Sequence, residues 1–358
     1  MPRKPFVSLT QMVGRARDNL DRNVWDYLMG GADTEASLNR NRAGVESWLF
    51  QPRILNDVSE VDVSASVLGQ DCRLPVVLPP IGSVQLFDES GGRGVAQAAQ
   101  EFGVLQILSS ACLPDFEEVA QQVPGPRIYQ LYLVGDQAWM DDTIARAMEL
   151  GYTGFCLTAD TQTYSRRERD ILKRFVPPSG RQAGSNDFTA QARMTWDTVA
   201  HIKETFSIPL IIKGVATARD AAMCAQAGVD VVYVSNHGGR QLDHTRACID
   251  LLPEITTAVD GRAPVWVDGG FMRGADVLKA LCLGASAVGM GRFEGLAMAA
   301  GGAAALVAAL EILEHELKIS LALLGCASLA ELAPEHVTRE EALRACDVLS
   351  AFPLLGDY

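Results

Sequence analysis

The sequence, 358 residues long, has little positive charge. Lys and Arg total 31 against 44 Asp and Glu, which gives a formal net charge of −13 at pH 7. Proteins that bind nucleic acid or an anionic membrane surface carry an excess of Lys and Arg on the contacting face. The deficit therefore argues against nucleic acid and against a membrane surface as partners.

Long uncharged apolar runs and closely paired cysteines are also absent. The segment nearest to a membrane span, residues 297–310, is rich in Ala and Gly and is followed by Glu311, which predicts a buried helix. Residues 1–5 lack the apolar core of a signal peptide. The eight cysteines include no C-x-x-C pair, so we expect reduced core thiols, no metal site and a cytoplasmic protein.

What the chain does have is a hydrophobic fraction of 48%, enough for a large core. From about residue 74, short apolar runs alternate with stretches of helical spacing, the pattern of strands followed by helices. We predict strands at 75–79, 105–109, 128–132, 154–158, 209–213, 231–235, 264–268 and 287–291. Eight strand–helix pairs favour an α/β fold, the (β/α)8 TIM barrel. The alternative, a doubly wound sheet, has a Gly-rich turn after its first strand, where this chain reads Pro79-Pro80-Ile81-Gly82.

The barrel accounts for most of the chain, so we predict one domain over residues 1–358, with residues 1–73 as an N-terminal cap. In that cap, Ser8 is predicted to begin a helix that runs to Met29 and ends at Gly30. Helices are expected again after about residue 316. A capping box at 338–341 predicts the start of the last one.

One stretch, Ser235-Asn236-His237-Gly238-Gly239-Arg240, stands where the sixth predicted strand ends. Histidine is the side chain best suited to take a proton near neutral pH. Arginine presents a fixed fork that fits a carboxylate. The pair therefore predicts a site that removes a proton from a substrate while holding its carboxylate.

Polar side chains follow seven of the eight predicted strands. Catalytic groups of TIM barrels lie at this C-terminal face, so we expect these residues to converge. They are Ser109, Ser110, Gln130, Tyr132, Thr158, Asp160, Lys213, Ser235, His237, Arg240, Asp268 and Arg292.

These motifs occur in the order found in a known family. The signature at 235–243 resembles that of the FMN-dependent α-hydroxy-acid oxidising family, which includes glycolate oxidase, lactate oxidase and mandelate dehydrogenase. The similarity extends from Trp25 to about His336 and includes Gln130-Leu131-Tyr132, Leu157-Thr158-Ala159-Asp160-Thr161 and Gly289-Met290-Gly291-Arg292. It implies oxidation of an L-2-hydroxy acid to the 2-oxo acid with non-covalent FMN, oxygen or an electron carrier as acceptor, and a homotetramer.

The resemblance also assigns roles. His237 takes the hydroxyl proton, Asp160 stabilises the imidazolium, and Tyr132 hydrogen-bonds the reacting oxygen. The predicted substrate-binding residues are Tyr27, Arg167 and Arg240. The predicted FMN-binding residues are Pro80, Gly82, Ser109, Gln130, Thr158, Lys213, Ser235, Asp268, Gly270, Arg273, Gly291 and Arg292.

Departures from the family pattern are informative. Met272 stands where an Arg usually grips the phosphate, so we expect Arg273 to replace it or FMN to bind more weakly. Glu294 would place an anion nearby. Ala111 replaces a frequent aromatic and, with Gly82 and Ser83, predicts room for a side chain larger than that of glycolate.

A polar stretch, 179–187, follows the fourth strand and is either a lid over the barrel mouth or an ordinary surface loop. Two alternatives to the oxidation remain open. The first is an FMN barrel without net redox chemistry, of the isomerase type. The second is a flavin-free scaffold that has lost activity.

Overall fold

The computed structural model describes residues 5–178, 189–342 and 345–356. The predicted polar stretch at 179–187 lies outside the described residues. Strands, numbered along the chain, are β1 Trp48–Phe50, β2 Ala65–Val67, β3 Gln70–Cys72, β4 Val76–Leu78, β5 Leu105–Ser109, β6 Ile128–Leu131, β7 Gly154–Thr158, β8 Leu210–Val215, β9 Val231–Val234, β10 Val265–Val267, β11 Ala287–Gly289 and β12 Val337–Arg339.

Helices alternate with these strands through most of the chain. Within the described ranges they are α1 Leu9–Asn19, α2 Arg22–Met29, α3 Ala36–Ser47, α4 Gly91–Phe102, α5 Phe116–Gln122, α6 Gln137–Glu149, α7 Glu168–Leu172, α8 Thr189–Ala192, α9 Trp196–Thr205, α10 Ala218–Gln226, α11 Leu252–Val259, α12 Gly274–Cys282 and α13 Gly291–Leu324.

Strands β4 to β11 form a closed parallel barrel in which β11 pairs with β4. All eight predicted strands are present, so the (β/α)8 prediction is confirmed. Side chains such as Ile128, Ile211 and Trp266 fill the barrel interior. The β2–β3 hairpin closes its N-terminal end, because Val67 and Cys72 pack into the same cluster. The open end is therefore the C-terminal face, where the polar strand ends lie.

Helix α13 is the longest helix described. By length and composition it resembles a membrane span, but 67% of its most apolar window is buried within the protein. It bends at Gly301–Gly302 and packs against α1, α4 and α12. The predicted buried helix at 297–310 is part of it. Seven of the eight cysteines are buried, in agreement with the expected core thiols.

Two predicted elements outside the barrel are wrong. The single helix from Ser8 to Met29 is divided, because Leu20 is extended and the Asp21 carboxylate caps α2 through the amides of Asn23 and Val24. Ser8 does cap α1 as predicted.

The predicted capping box at 338–341 begins no helix. Residues 337–339 form β12, which pairs antiparallel with β1. Two β-branched residues in β12, Val337 and Thr338, suit an extended strand, and the edge of β1 supplies hydrogen-bond partners that local helix signals do not reveal.

Gly289 and Tyr233 make one of the tightest contacts inside the barrel. A Cβ added at Gly289 would lie 1.9 Å from the Tyr233 hydroxyl oxygen. We expect Gly289→Ala to destabilise the fold by about 1–3 kcal/mol through overpacking. Adding Tyr233→Phe to that variant removes the clashing oxygen and is expected to recover part of the loss. Urea unfolding of the three proteins measures this, and a double variant no more stable than Gly289→Ala would contradict it.

Candidate active site

The loop after β9 orients the predicted base. His237 has φ +58°, and Gly238 and Gly239 follow with φ +63° and +77°. Such a run in the left-handed region is strained for histidine and easy for glycine. Asn236 holds the turn, since its Oδ1 accepts from the Gly239 amide at 3.0 Å and from Asn41 at 2.8 Å. The cap helix α3 therefore fixes this loop.

His237, Asp160 and Tyr132 come together although they follow three different strands. The His237 Nδ1 lies 3.0 Å from Asp160 Oδ1, and its Nε2 lies 3.4 Å from the Tyr132 hydroxyl. Because a carboxylate only accepts, Nδ1 carries the proton and Nε2 keeps its lone pair. The basic nitrogen therefore faces Tyr132 and the cavity.

The charges of this group follow from their surroundings. Burial lowers the pKa of His237 below 6.5, against the opposing effect of Asp160. The pKa of Asp160 is lowered from 3.8, because His237 and Lys213 outweigh the effect of burial. Burial raises the pKa of Tyr132 above 10. At neutral pH the site thus holds a neutral imidazole, an ionised carboxylate and a protonated phenol.

Ser235 connects the base to a buried lysine. Its Oγ accepts from Lys213 Nζ at 2.7 Å and from the His237 amide at 3.0 Å, and donates to Asp268 Oδ1 at 2.6 Å. Lys213 Nζ also lies 3.1 Å from Asp268 Oδ2. Asp268 and Asp160 raise the pKa of Lys213 above 10.5 in spite of its burial. The floor of the site therefore carries a fixed positive charge.

Four guanidinium groups, those of Arg42, Arg167, Arg240 and Arg292, line the same cavity. Arg240 donates to the carbonyls of Tyr27 and Gly30 at 2.6 and 2.9 Å and lies 4.9 Å from the Tyr27 ring centroid. Burial and Arg167 lower the pKa of Arg240. Burial and Arg240 lower the pKa of Arg292 to about 9. Crowded buried cations of this kind favour an anionic ligand.

The cavity has a volume of about 360 Å³, within the range of small-molecule and cofactor sites. Most of the predicted ligand-binding residues line it: Tyr27, Pro80, Gly82, Tyr132, Arg167, Lys213, His237, Arg240, Asp268, Gly270, Gly291 and Arg292.

The end of the site formed by Gln130, Thr158 and Lys213, which we call the ring end, suits the ring of a flavin. Gln130 Nε2 and Thr158 Oγ1 are buried and have no hydrogen-bond partner within the described part of the chain. Thr158 lies opposite Lys213 in the β7–β8 pair, and Gln130 lies on β6, the other neighbour of β7. An unsatisfied buried polar atom is costly unless a ligand satisfies it. An amide donor, a hydroxyl and a lysine ammonium match the polar edge of an isoalloxazine. These residues would hold FMN.

Two predicted FMN contacts are placed elsewhere. The Ser109 hydroxyl donates to Gln130 Oε1 at 2.8 Å, so Ser109 orients Gln130 rather than lining the cavity. Arg273 does not replace the missing arginine: its guanidinium pairs with Glu316 and donates to the Ala351 carbonyl, because Glu316 on α13 lies beside it.

Glu294 also differs from expectation. It is 2% exposed, and burial raises its pKa well above 4.5. Burial therefore favours the neutral form of the side chain, and Glu294 does not line the cavity.

Gln191 is a site residue that the sequence did not reveal. It is fully buried on α8, and its carboxamide donates to the Thr158 carbonyl at 2.6 Å and accepts from the Leu133 amide at 2.8 Å. It thus ties the loop carrying Tyr132 to the end of β7. Because it stands in a polar stretch without periodicity, local sequence gives no signal for this role.

Comparison with known proteins agrees with this geometry. The profile of the FMN-dependent dehydrogenase family matches residues 16–339. Glycolate oxidase 1 of Oryza sativa subsp. japonica is 37% identical over 342 residues, covering 90% of this chain and 93% of the relative. A crystal structure of mandelate oxidase superposes with a TM-score of 0.87 at 36% identity, covering 94% of this chain and 100% of the other. An active chimera of (S)-mandelate dehydrogenase gives 0.86 at 30% identity, covering 92% and 98%.

The His237–Asp160 contact has a measurable consequence for pKa. We expect Asp160→Asn to lower the pKa of His237 further, because burial, Lys213 and Arg167 then act without an opposing carboxylate. NMR titration of the imidazole measures it. Asp141→Asn, which removes the carboxylate beside a different histidine, His201, is the matched control. An unchanged or higher pKa of His237 in Asp160→Asn would contradict the pairing.

Proposed function

Because the chain belongs to the FMN-dependent dehydrogenase family and oxidises L-2-hydroxy acids to 2-oxo acids with FMN, we propose that its substrate carries an apolar side chain larger than that of glycolate. The observation that supports this choice is the wall of the cavity next to Tyr132. The chain continues from Tyr132 into Leu133 and Val134, which line the cavity together with Trp139.

Ala111 leaves space in the same wall. The Tyr132 amide donates to Ser110 Oγ at 3.1 Å, which holds Ala111 close to the reacting group. Tyr164 also lines the cavity, and the Arg167 guanidinium lies 4.5 Å from its ring centroid. Apolar and aromatic walls favour a branched or aryl side chain over a hydrogen atom. Mandelate oxidase, which is similar to this chain, was solved with a phenylpropionic 2-hydroxy acid.

The part of the cavity lined by Arg167 and Arg240 binds and orients the substrate carboxylate. Arg240 is held by two backbone carbonyls through one nitrogen, which directs the rest of its fork into the cavity. Arg167 provides a second cation, and its Nε is buried without a partner in the described ranges. Two guanidinium groups around one carboxylate fix the α-carbon relative to His237.

The proton transfer uses the unprotonated Nε2 of the neutral His237 imidazole. Its Nε2 takes the proton of the substrate hydroxyl, and the Asp160 carboxylate at 3.0 Å stabilises the imidazolium that results. Tyr132, protonated at neutral pH, donates to the oxygen that becomes the carbonyl. FMN held by Lys213, Gln130 and Thr158 would supply the acceptor for the two electrons and the α-hydrogen. The Lys213 ammonium favours the added negative charge.

We also propose a cytoplasmic homotetramer, on the family resemblance and on apolar side chains left exposed at Ile54 and Leu55. Light scattering gives the oligomeric state. Cell fractionation distinguishes the cytoplasm from the peroxisome, which is named for one relative, an (S)-2-hydroxy-acid oxidase of Oryza sativa.

The reaction is tested by anaerobic flavin reduction with a panel of aliphatic and aromatic L-2-hydroxy acids. We expect bleaching of the flavin, fastest with bulky apolar substrates. His237→Ala should retain flavin and reduce it at least about a hundredfold more slowly, because a positioned base contributes roughly 10²–10⁴-fold. No bleaching with any acid would refute the reaction, and a normal rate in His237→Ala would remove His237 from it. Oxygen uptake then separates oxidase from dehydrogenase.

Ala111→Trp tests the side-chain space. An indole placed beside Tyr132 should lower kcat/KM for the bulkiest substrate by roughly tenfold or more, since each excluded methylene group is worth about 1–3 kcal/mol. The value for glycolate should change little. Ala111→Ser, similar in volume to the native residue, serves as the control. An equal loss for large and small substrates would contradict the proposed specificity.

A further inference from the structure

The cavity end formed after β10 and β11 has little uncommitted positive charge. Barrels commonly bind phosphate at the ends of their last two strands, through helix N-termini and basic side chains. Here Gly270, Met272 and Gly291 line the cavity. Met272 is 2% exposed, so an uncharged thioether occupies this wall.

Arg42, the first cation at this end, is fully engaged. Its Nη1 donates to the Gly270 carbonyl at 2.9 Å and to Asp276 Oδ2 at 2.7 Å. Its Nη2 donates to Asp276 Oδ1 and Glu46 Oε1, and its Nε also donates to Glu46. Two carboxylates therefore balance one guanidinium before any ligand arrives.

The N-terminus of α12 is occupied in the same way. Asp276 Oδ2 accepts from the amides of Met272 and Arg273 at 2.9 and 3.0 Å. Glu316 Oε2 accepts from the Gly274 amide at 2.9 Å and also pairs with the Arg273 guanidinium. Protein carboxylates thus use the α12 amides and the Arg273 charge that would otherwise be available to a phosphate.

Arg292 is the remaining guanidinium that lines this part of the cavity within the described residues. Its Nη1 and Nη2 each donate one N–H to the carbonyls of Gly238 and Gly30 at 2.9 and 2.8 Å, and its Nε is without a partner. The Arg292 guanidinium is therefore directed toward the loop of His237. At the ring end, Lys213 is also paired with a carboxylate, that of Asp268 at 3.1 Å, but Gln130 Nε2 and Thr158 Oγ1 are buried without a hydrogen-bond partner in the described part of the chain.

We propose that this site recognises the isoalloxazine far more than the phosphate, so that it binds riboflavin with an affinity within about tenfold of that for FMN. Each hydrogen bond between a phosphate and a free guanidinium contributes roughly tenfold to a hundredfold in affinity. With Arg42 and Arg273 neutralised and Met272 uncharged, those contributions are largely missing. The inference concerns the cofactor site alone and does not depend on the identity of the substrate.

Competitive exchange tests the proposal without any turnover. Holoprotein is equilibrated with equal concentrations of FMN and riboflavin, starting separately from each bound form, and the bound flavins are extracted and quantified. We expect a bound ratio of FMN to riboflavin below about ten, and a ratio nearly independent of NaCl concentration. A wild-type ratio above about ten would overturn the proposal, even if flavin reduction by 2-hydroxy acids proceeds normally.

Met272→Arg supplies the missing charge and is the decisive variant. It should raise the ratio of FMN to riboflavin roughly tenfold through tighter FMN binding, with riboflavin binding unchanged, and added salt should reduce that gain. Met272→Leu, similar in volume and uncharged, should leave the ratio as in the wild type. An unchanged ratio in folded Met272→Arg would overturn the proposal. If that variant does not fold, the wild-type ratio and its salt dependence decide the question.

Discussion

The active site depends on one contact across the barrel mouth, the 3.0 Å hydrogen bond between His237 and Asp160. The two residues follow β9 and β7, and β8 lies between these strands. The contact is possible because β8 carries Gly214, where a Cβ would lie 2.7 Å from that of Asp160. The absence of a side chain at Gly214 on β8 therefore allows His237 and Asp160, which follow the strands on either side, to form their hydrogen bond.

Around that pair, some arginines face the cavity and others are paired with carboxylates of the protein. The guanidinium groups of Arg167 and Arg240 face the cavity with donors left over, whereas Arg42 and Arg273 are neutralised by carboxylates of the protein. Buried charge is tolerated only when it is paired or when a ligand completes it. Arg167 and Arg240 are therefore more available to a substrate carboxylate than Arg42 and Arg273 are to a phosphate.

The N-terminal cap contributes to function as well as to the core. Its α3 helix packs on the His237 loop so closely that a Cβ at Gly239 would lie 2.5 Å from the Leu38 amide nitrogen. Asp243 strengthens the contact by accepting from the Thr34 and Ser37 amides at 3.0 and 2.7 Å. The cap thereby holds both the base and Tyr27, whose hydroxyl donates to the Gly82 carbonyl. The barrel alone would leave the loop after β9 unsupported.

Much of this could be predicted from the sequence, because strand periodicity, the order of polar strand ends and the signature around His237 are local properties. The chain by itself determined the barrel and the kinds of side chain at its rim. Only the tertiary structure decided which of those side chains are available, because hydrogen-bonding capacity is consumed by partners far along the chain. Arg273 meets Glu316, Ser109 meets Gln130, and Gln191 joins two strand ends, none of which a local pattern encodes.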